Sequence, residues 1–82
     1  MELNDTIEGM LSADYKERFK AEYFQAVIRR DKLEDMLVKH ANGTLTFKPN
    51  NSIDLLRAQV NVLGAYVNIL ELRAEQENIE LY

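Results

Sequence analysis

The chain has 82 residues, no cysteine, a single histidine and a net charge of −4 at neutral pH. A chain of this length forms one small domain, which usually needs disulfides, a metal or oligomerisation for stability. Because disulfides are impossible and His40 alone does not make a zinc site of the usual type, oligomerisation is the remaining device. The acidic charge argues against DNA and anionic membranes as partners, but it leaves room for a small anionic ligand in a local basic pocket.

Residues 1–11 carry a weak helix signal. Asp5 and Thr6 favour a helix start, and Gly9 weakens its far end. This segment is therefore expected to be either a short docking helix or a frayed terminus. The acidic start does not fit the basic region of a signal peptide, and no apolar run approaches the roughly 20 residues that span a bilayer. We expect a protein of the cytoplasm with no membrane partner.

A long helix is predicted within residues 12–41. Ser12 stands where an N-cap is expected, and Asn42 and Gly43 end the helix, since glycine adopts the left-handed C-cap conformation without a steric penalty. Arg30 interrupts the apolar stripe of this helix where the spacing requires an apolar residue, which is its most informative anomaly. The stripe consists of Phe19, Tyr23, Ala26, Leu33, Met36 and Leu37.

A short linker at residues 42–52 leads to a second helix predicted over residues 53–76, with Ser52 as its N-cap. Between Ala58 and Leu70 this helix has no charged residue and is apolar on nearly all sides. Such a helix must be buried on several sides, which one partner helix cannot achieve. The sequence therefore predicts an all-α fold, an antiparallel two-helix hairpin with a short N-terminal helix, which assembles as a homo-oligomeric helical bundle.

Three smaller features carry expectations of their own. The short extended segment before Pro49 is expected to close the open end of the hairpin with Leu45 and Phe47. Gly64 lies inside the second helix, where glycine costs about 1 kcal/mol relative to alanine, so another backbone is expected to approach it closely. Residues 77–82 form a polar C-terminal tail. Its candidate docking residues are Ile79, Leu81 and Tyr82.

The sequence offers little for catalysis and more for binding. Cysteine nucleophiles, glycine-rich phosphate loops and histidine pairs are missing, so we expect no enzyme, no cofactor and no metal. Aromatic faces stack on bases and arginine binds phosphate through two hydrogen bonds, so the mixed aromatic and basic surface of the first long helix suits a nucleotide. The alternative is that Phe19 and Tyr23 are core residues and that the charges pair with acidic neighbours.

A polar series on the second helix also allows two interpretations. Gln59, Tyr66 and Arg73 recur every seven residues within the apolar stripe. They form either a polar seam that fixes helix register or a set of hydrogen-bonding groups for a ligand trapped between subunits.

Several runs of residues resemble a known family. They are Arg29–Leu37, Gly43–Pro49, Ile53–Gln59, Tyr66, Ile69–Leu70 and Arg73–Ala74. These runs are similar to those of small bacteriophage and prophage proteins, the helical-hairpin anti-CBASS sponges, and to the hairpin insertion of one anti-Thoeris sponge. The resemblance covers roughly Tyr15 to Leu81, and its motifs are helix and hairpin patterns without a catalytic signature.

This resemblance implies a homo-oligomer, typically a hexamer, that sequesters nucleotide signals of bacterial anti-phage defence in the cytoplasm of the infected host. The implied ligand is a cyclic di- or trinucleotide or a cyclic ADP-ribose isomer, held between subunits and not cleaved. An aromatic residue stacks on a base in that family and a basic residue meets the phosphates. Carried onto this chain, Tyr15 matches the aromatic residue and Arg30 the basic one, and Arg29 and Lys32 are close enough in sequence to contribute. Together with Phe19, which comes from the aromatic surface of the first long helix, these are the expected ligand-binding residues. The family usually has an apolar or aromatic residue at the position of Arg30, so the identity of the ligand stays open.

Two other functions remain as alternatives. A non-enzymatic helical oligomer that acts as a structural or protein-interaction module would use the same apolar helix without needing Tyr15 or the basic cluster. A phosphodiesterase that degrades the signal is disfavoured, because the sequence lacks the metal ligands that such an enzyme uses.

Overall fold

The computed structural model describes all 82 residues and is helical, without strands. A 3-10 turn, Leu3–Thr6, leads into the short helix α1, Ile7–Met10, and two long helices follow: α2, Tyr15–Ala41, and α3, Ile53–Gln76. Hydrogen bonds join the start of α2 to the end of α3, so the two long helices run antiparallel. None of the helices combines the length and apolar character required to cross a membrane.

The first long helix begins later than the sequence predicts. Asp14 is its N-cap, and its Oδ1 accepts a hydrogen bond from the backbone N–H of Lys16 at 2.9 Å. Ser12 instead accepts the N–H of Asp14 at 3.0 Å, so it organises the turn before the helix. The prediction of Ser12 as the N-cap is therefore wrong, because serine and aspartate are equally good N-caps and residue type alone does not distinguish them. Ser52 caps α3 as predicted and accepts the N–H of Leu55 at 3.2 Å.

Both long helices end in the same kind of turn. After α2, Gly43 has a φ of +73°, and the N–H of Thr44 donates to the Lys39 carbonyl at 2.9 Å. After α3, Asn78 has a φ of +56°, and the N–H of Ile79 donates to the Ala74 carbonyl, also at 2.9 Å. This pattern is the Schellman motif, in which a left-handed residue satisfies the last carbonyls of a helix.

The core lies where the start of α2 meets the end of α3. The C-terminal tail packs onto it, since Ile79 is buried and the Tyr82 hydroxyl lies 2.8 Å from that of Tyr23. Toward the linker the stripe is only half-buried, and Phe47 is 57% exposed, so the prediction that it closes the open end is wrong for the single chain. The core consists of Phe19, Tyr23, Ala26, Val67, Leu70, Ala74 and Ile79.

The N-terminal segment is a docking helix rather than a frayed end. Thr6 is buried, and Ala21 and Ile28 are buried on α2. Gly9 lies so close to α2 that a Cβ at this position would approach the Cβ of Ala21 to 3.0 Å. Close packing of this kind holds the segment against α2.

One face of α3 has no partner in the chain. Apolar residues at alternating spacings of three and four lie along it and are all exposed, which is the pattern of the seam between two coiled-coil helices. We call this the open seam, and it consists of Leu55, Ala58, Val62, Ala65, Ile69 and Leu72. Gly64 has no atom within 4 Å of an added Cβ, so the close backbone approach expected there does not occur within the chain.

Candidate ligand-binding site

Tyr15 is the first residue of α2 and remains exposed beside the last turn of α3. Its hydroxyl donates a hydrogen bond to Glu77 Oε1 at 2.7 Å and accepts one from Arg73 Nη2 at 3.2 Å. The Glu77 carboxylate, by accepting this hydrogen bond, raises the pKa of the Tyr15 phenol above its ordinary value. Tyr15 is therefore a neutral, oriented ring at the surface near neutral pH.

Phe19 lies one turn farther along α2 and is only 2% exposed. A buried ring offers no free face to a base, which favours the interpretation of Phe19 as a core residue. Its ring instead carries the Arg73 guanidinium, whose central carbon lies 5.1 Å from the ring centroid. Phe19 thus contributes to the surface by positioning a cation through a cation–π contact.

Arg73 connects the groups of this surface. It lies over Phe19, donates to Tyr15 and places its Nε 3.4 Å from Glu77 Oε2. The seven-residue series on α3 was the signal that pointed to this residue, although the sequence left open whether it fixes register or binds a ligand. Two turns earlier, Tyr66 of the same series hydrogen-bonds to Glu22 of α2. We call Tyr15, Phe19, Arg73 and Glu77 the anion cluster.

The predicted basic residues lie elsewhere. Arg30 is half-buried, and its Nε and Nη2 both donate to Asp31 Oδ1 at 3.1 Å. Lys32 pairs with Glu2 of the N-terminal segment at 3.0 Å, whereas Arg29 is exposed and makes no ion pair. No set of acidic or histidine residues is placed to hold a metal ion.

A single chain does not bring Tyr15 and Arg30 together. They are separated by four turns of one continuous helix, or about 22 Å at the rise of an α-helix. Contact of both residues with one small ligand therefore requires two different subunits. The anion cluster, by contrast, is complete within one chain.

Comparison with known families gives one match, which covers residues 13–76. The chain belongs to the Sequestin family. The name describes sequestration, in agreement with the resemblance to sponge proteins, and indicates a binding protein. The matched region includes Tyr15, Phe19 and Arg73, whereas Glu77 follows directly after it. Comparisons with curated proteins and with solved structures found no match.

Proposed function

We propose that this Sequestin protein binds and sequesters cyclic oligonucleotides or related nucleotide second messengers of bacterial anti-phage defence without cleaving them. Membership in the Sequestin family supports the sequestering part of the proposal. The resemblance to phage sponges supports the class of ligand and the cytoplasm of the infected host as the place of action. A sponge needs only binding, so rigid helices that hold the binding groups are sufficient for it.

The observation that carries the proposal is the pairing of Tyr15 with Arg73 at the surface. An exposed aromatic ring stacks on a base of any sequence, and a guanidinium donates charge-assisted hydrogen bonds to phosphate. The two groups are 3.2 Å apart, and Phe19 holds the guanidinium in place from below. A nucleotide offers a base and a phosphate at adjacent positions, which matches this arrangement.

We further propose that the complete site forms between subunits of a homo-oligomer, with a hexamer as the expected form. The separation of Tyr15 and Arg30 supports this, because only a neighbouring subunit can bring Arg30 to a ligand that contacts Tyr15. The number of exposed apolar residues, compared with the number of buried ones, also supports a homo-oligomer. Thirteen large apolar side chains are exposed in the single chain, whereas ten apolar residues are buried. An exposed apolar surface of this extent is typical of an interaction site.

The open seam also favours a second candidate function. A helical oligomer that serves as a structural or protein-interaction module would cover this seam and would have no need of a nucleotide. The two functions differ in one measurable respect, because only the sponge binds a small ligand at a fixed ratio to the subunit.

Isothermal titration against cyclic di- and trinucleotides and cyclic ADP-ribose isomers tests the proposal, with light scattering on the same sample. We expect submicromolar binding of one class by an oligomer, followed by recovery of the intact ligand after denaturation. Recovery of a cleaved product would indicate a phosphodiesterase. A folded oligomer that binds no member of the panel would favour the protein-interaction module.

The variant Arg30→Glu tests the proposed role of Arg30. Reversal of its charge should abolish binding of the nucleotide identified above and leave the size of the oligomer unchanged. Arg57→Glu is the matched control, because Arg57 also pairs with a nearby aspartate, Asp54, but lies on α3 outside the proposed site. A folded Arg30→Glu protein that binds normally would remove Arg30 from the site, and loss of the oligomer would make Arg30 a structural residue.

A further inference from the structure

The anion cluster already contains an anion from the chain itself. Glu77 uses both of its carboxylate oxygens, since Oε1 accepts from the Tyr15 hydroxyl at 2.7 Å and Oε2 lies 3.4 Å from Arg73 Nε. A carboxylate with two engaged oxygens resembles a phosphate group bound by the same donors. In the free protein, therefore, the groups suited to an anionic ligand are occupied.

We propose that Glu77 is an internal competitor for the ligand, and that a phosphate group binds at Tyr15 and Arg73 by displacing the Glu77 carboxylate. This proposal rests on the proposed function and adds a regulation of affinity to it. A ligand without an anionic group cannot replace the carboxylate as partner of Arg73, so Glu77 also selects against neutral ligands.

Glu77 is placed so that it can leave. It is the C-cap residue of α3, beyond the last full helical turn, and the following Asn78 reverses the chain. Its ion pair with Arg73 joins two side chains that retain 34% and 46% of their exposure, and pairs of this kind contribute little to stability. Arg73 is held independently, because its contact with the Phe19 ring does not involve Glu77.

The variant Glu77→Gln, with inorganic pyrophosphate as the probe, tests the competition. Loss of the competing charge should tighten pyrophosphate binding by about two- to fivefold, the range expected when one exposed ion pair no longer has to be broken. Binding is followed by NMR through the Nε–H of Arg73 and the ring of Tyr15. The matched control is Glu75→Gln, which makes the same change in net charge at an exposed glutamate without a hydrogen bond or ion pair. Arg73→Gln should abolish the response of the Tyr15 ring to pyrophosphate.

Three results would overturn the inference. They are an unchanged or weaker affinity in Glu77→Gln, an equal gain in Glu75→Gln, and failure of pyrophosphate to perturb Arg73 in any variant. An equal gain in the control would assign the effect to net charge rather than to displacement.

A measurement without ligand tests the contact itself. In Glu77→Gln the pKa of Tyr15 should fall toward the ordinary value of about 10, whereas Glu75→Gln should leave it unchanged. An unchanged Tyr15 titration in Glu77→Gln would mean that the carboxylate does not occupy the cluster in solution, which overturns the inference.

The inference and the proposed function fail separately. If pyrophosphate displaces Glu77 but no nucleotide of the panel binds, the competition stands and the nucleotide-sponge function is wrong. If a nucleotide binds tightly but Glu77→Gln does not strengthen pyrophosphate binding, the function stands and the competition is wrong.

Discussion

Tyr23 shows how a polar group is accommodated in a very small core. Its ring is buried, yet its hydroxyl donates to Glu71 Oε2 at 2.9 Å and lies 2.8 Å from the Tyr82 hydroxyl. Burial, reinforced by the hydrogen bonds with Tyr82 and Glu71, raises the pKa of the Tyr23 phenol well above its usual range. The folded state therefore favours the protonated phenol.

Alkaline pH should destabilise the fold through Tyr23. Below the unfolded pKa of about 10, both states are protonated and the stabilisation by Tyr23 is complete. Above that pH the unfolded chain releases the phenolic proton while the folded chain retains it, so stability falls as the pH rises.

The variant Tyr23→Phe should lower the free energy of unfolding by about 1–2 kcal/mol at pH 7, because two hydrogen bonds are lost. Its free energy of unfolding should then fall less than that of the original protein as the pH rises toward 11. Urea unfolding of both proteins at pH 7, 9 and 11 measures this. An equal loss of stability between pH 7 and pH 11 in the two proteins would contradict this prediction.

At the residue scale, the sequence predicts which side chains suit a nucleotide but not which of them lie in contact in the fold. Tyr15 and Arg73 are 58 positions apart, and only the antiparallel packing of α2 and α3 makes them neighbours. The charge at Arg30 is visible as an anomaly in the stripe, yet its partner in the chain is merely the adjacent Asp31. Phe19 fits both a stacking residue and a core residue by type, and burial favours the second.

The end of α3 illustrates the limits of prediction at the scale of elements. The periodicity of apolar residues predicts the long helices, and Gly43 predicts the end of α2, because glycine is the usual left-handed residue. Asn78 performs the same role after α3, but asparagine adopts this conformation less often, so the sequence predicts only a polar tail after residue 76. The turn at Asn78 returns the tail to the core, where Ile79 is buried.

Asn78, in the turn after α3, should matter for stability in a way that the asparagines inside α3 do not. Asn78→Ala should cost about 1 kcal/mol, because a Cβ without a local polar group is strained at positive φ. Asn78→Gly should stay within about 0.5 kcal/mol of the original, since glycine adopts this φ freely but loses more entropy on folding. Urea unfolding provides the measurement.

Asn68→Ala is the control for these variants. Asn68 is exposed inside α3, where alanine is the better helix former, so this change should stabilise the protein by up to about 0.7 kcal/mol. Equal effects of alanine at positions 68 and 78 would show that the turn after α3 does not form in solution.

At the scale of the whole molecule, the chain leaves its most apolar helix half-covered. α2 covers only one side of α3, and the open seam lies away from that contact. The residues of α3 that are buried on the covered side are Leu56, Val67, Leu70 and Ala74. The sequence predicts the surplus of apolar surface, because one hairpin partner covers only one side of a helix. It does not predict the number or arrangement of subunits, since these depend on how two seams fit together. We expect the occupant of the open seam to be a second copy of this chain, because its heptad spacing matches that of a helix packed against another helix.

Val62→Glu should break this assembly and leave the hairpin intact. Val62 lies in the middle of the open seam and is 67% exposed in the single chain, so a charge there is tolerated by the monomer and is costly only when another subunit covers it. Glutamate forms helices well, so the helical signal in circular dichroism should persist. Val38→Glu is the matched control, because Val38 is 53% exposed on α2 outside the seam. Light scattering should give the mass of a monomer or smaller oligomer for Val62→Glu and the original mass for Val38→Glu. A Val62→Glu protein that keeps the full mass would show that the subunits associate through a different surface, and the intersubunit site proposed for Tyr15 and Arg30 would then have to be built on that surface.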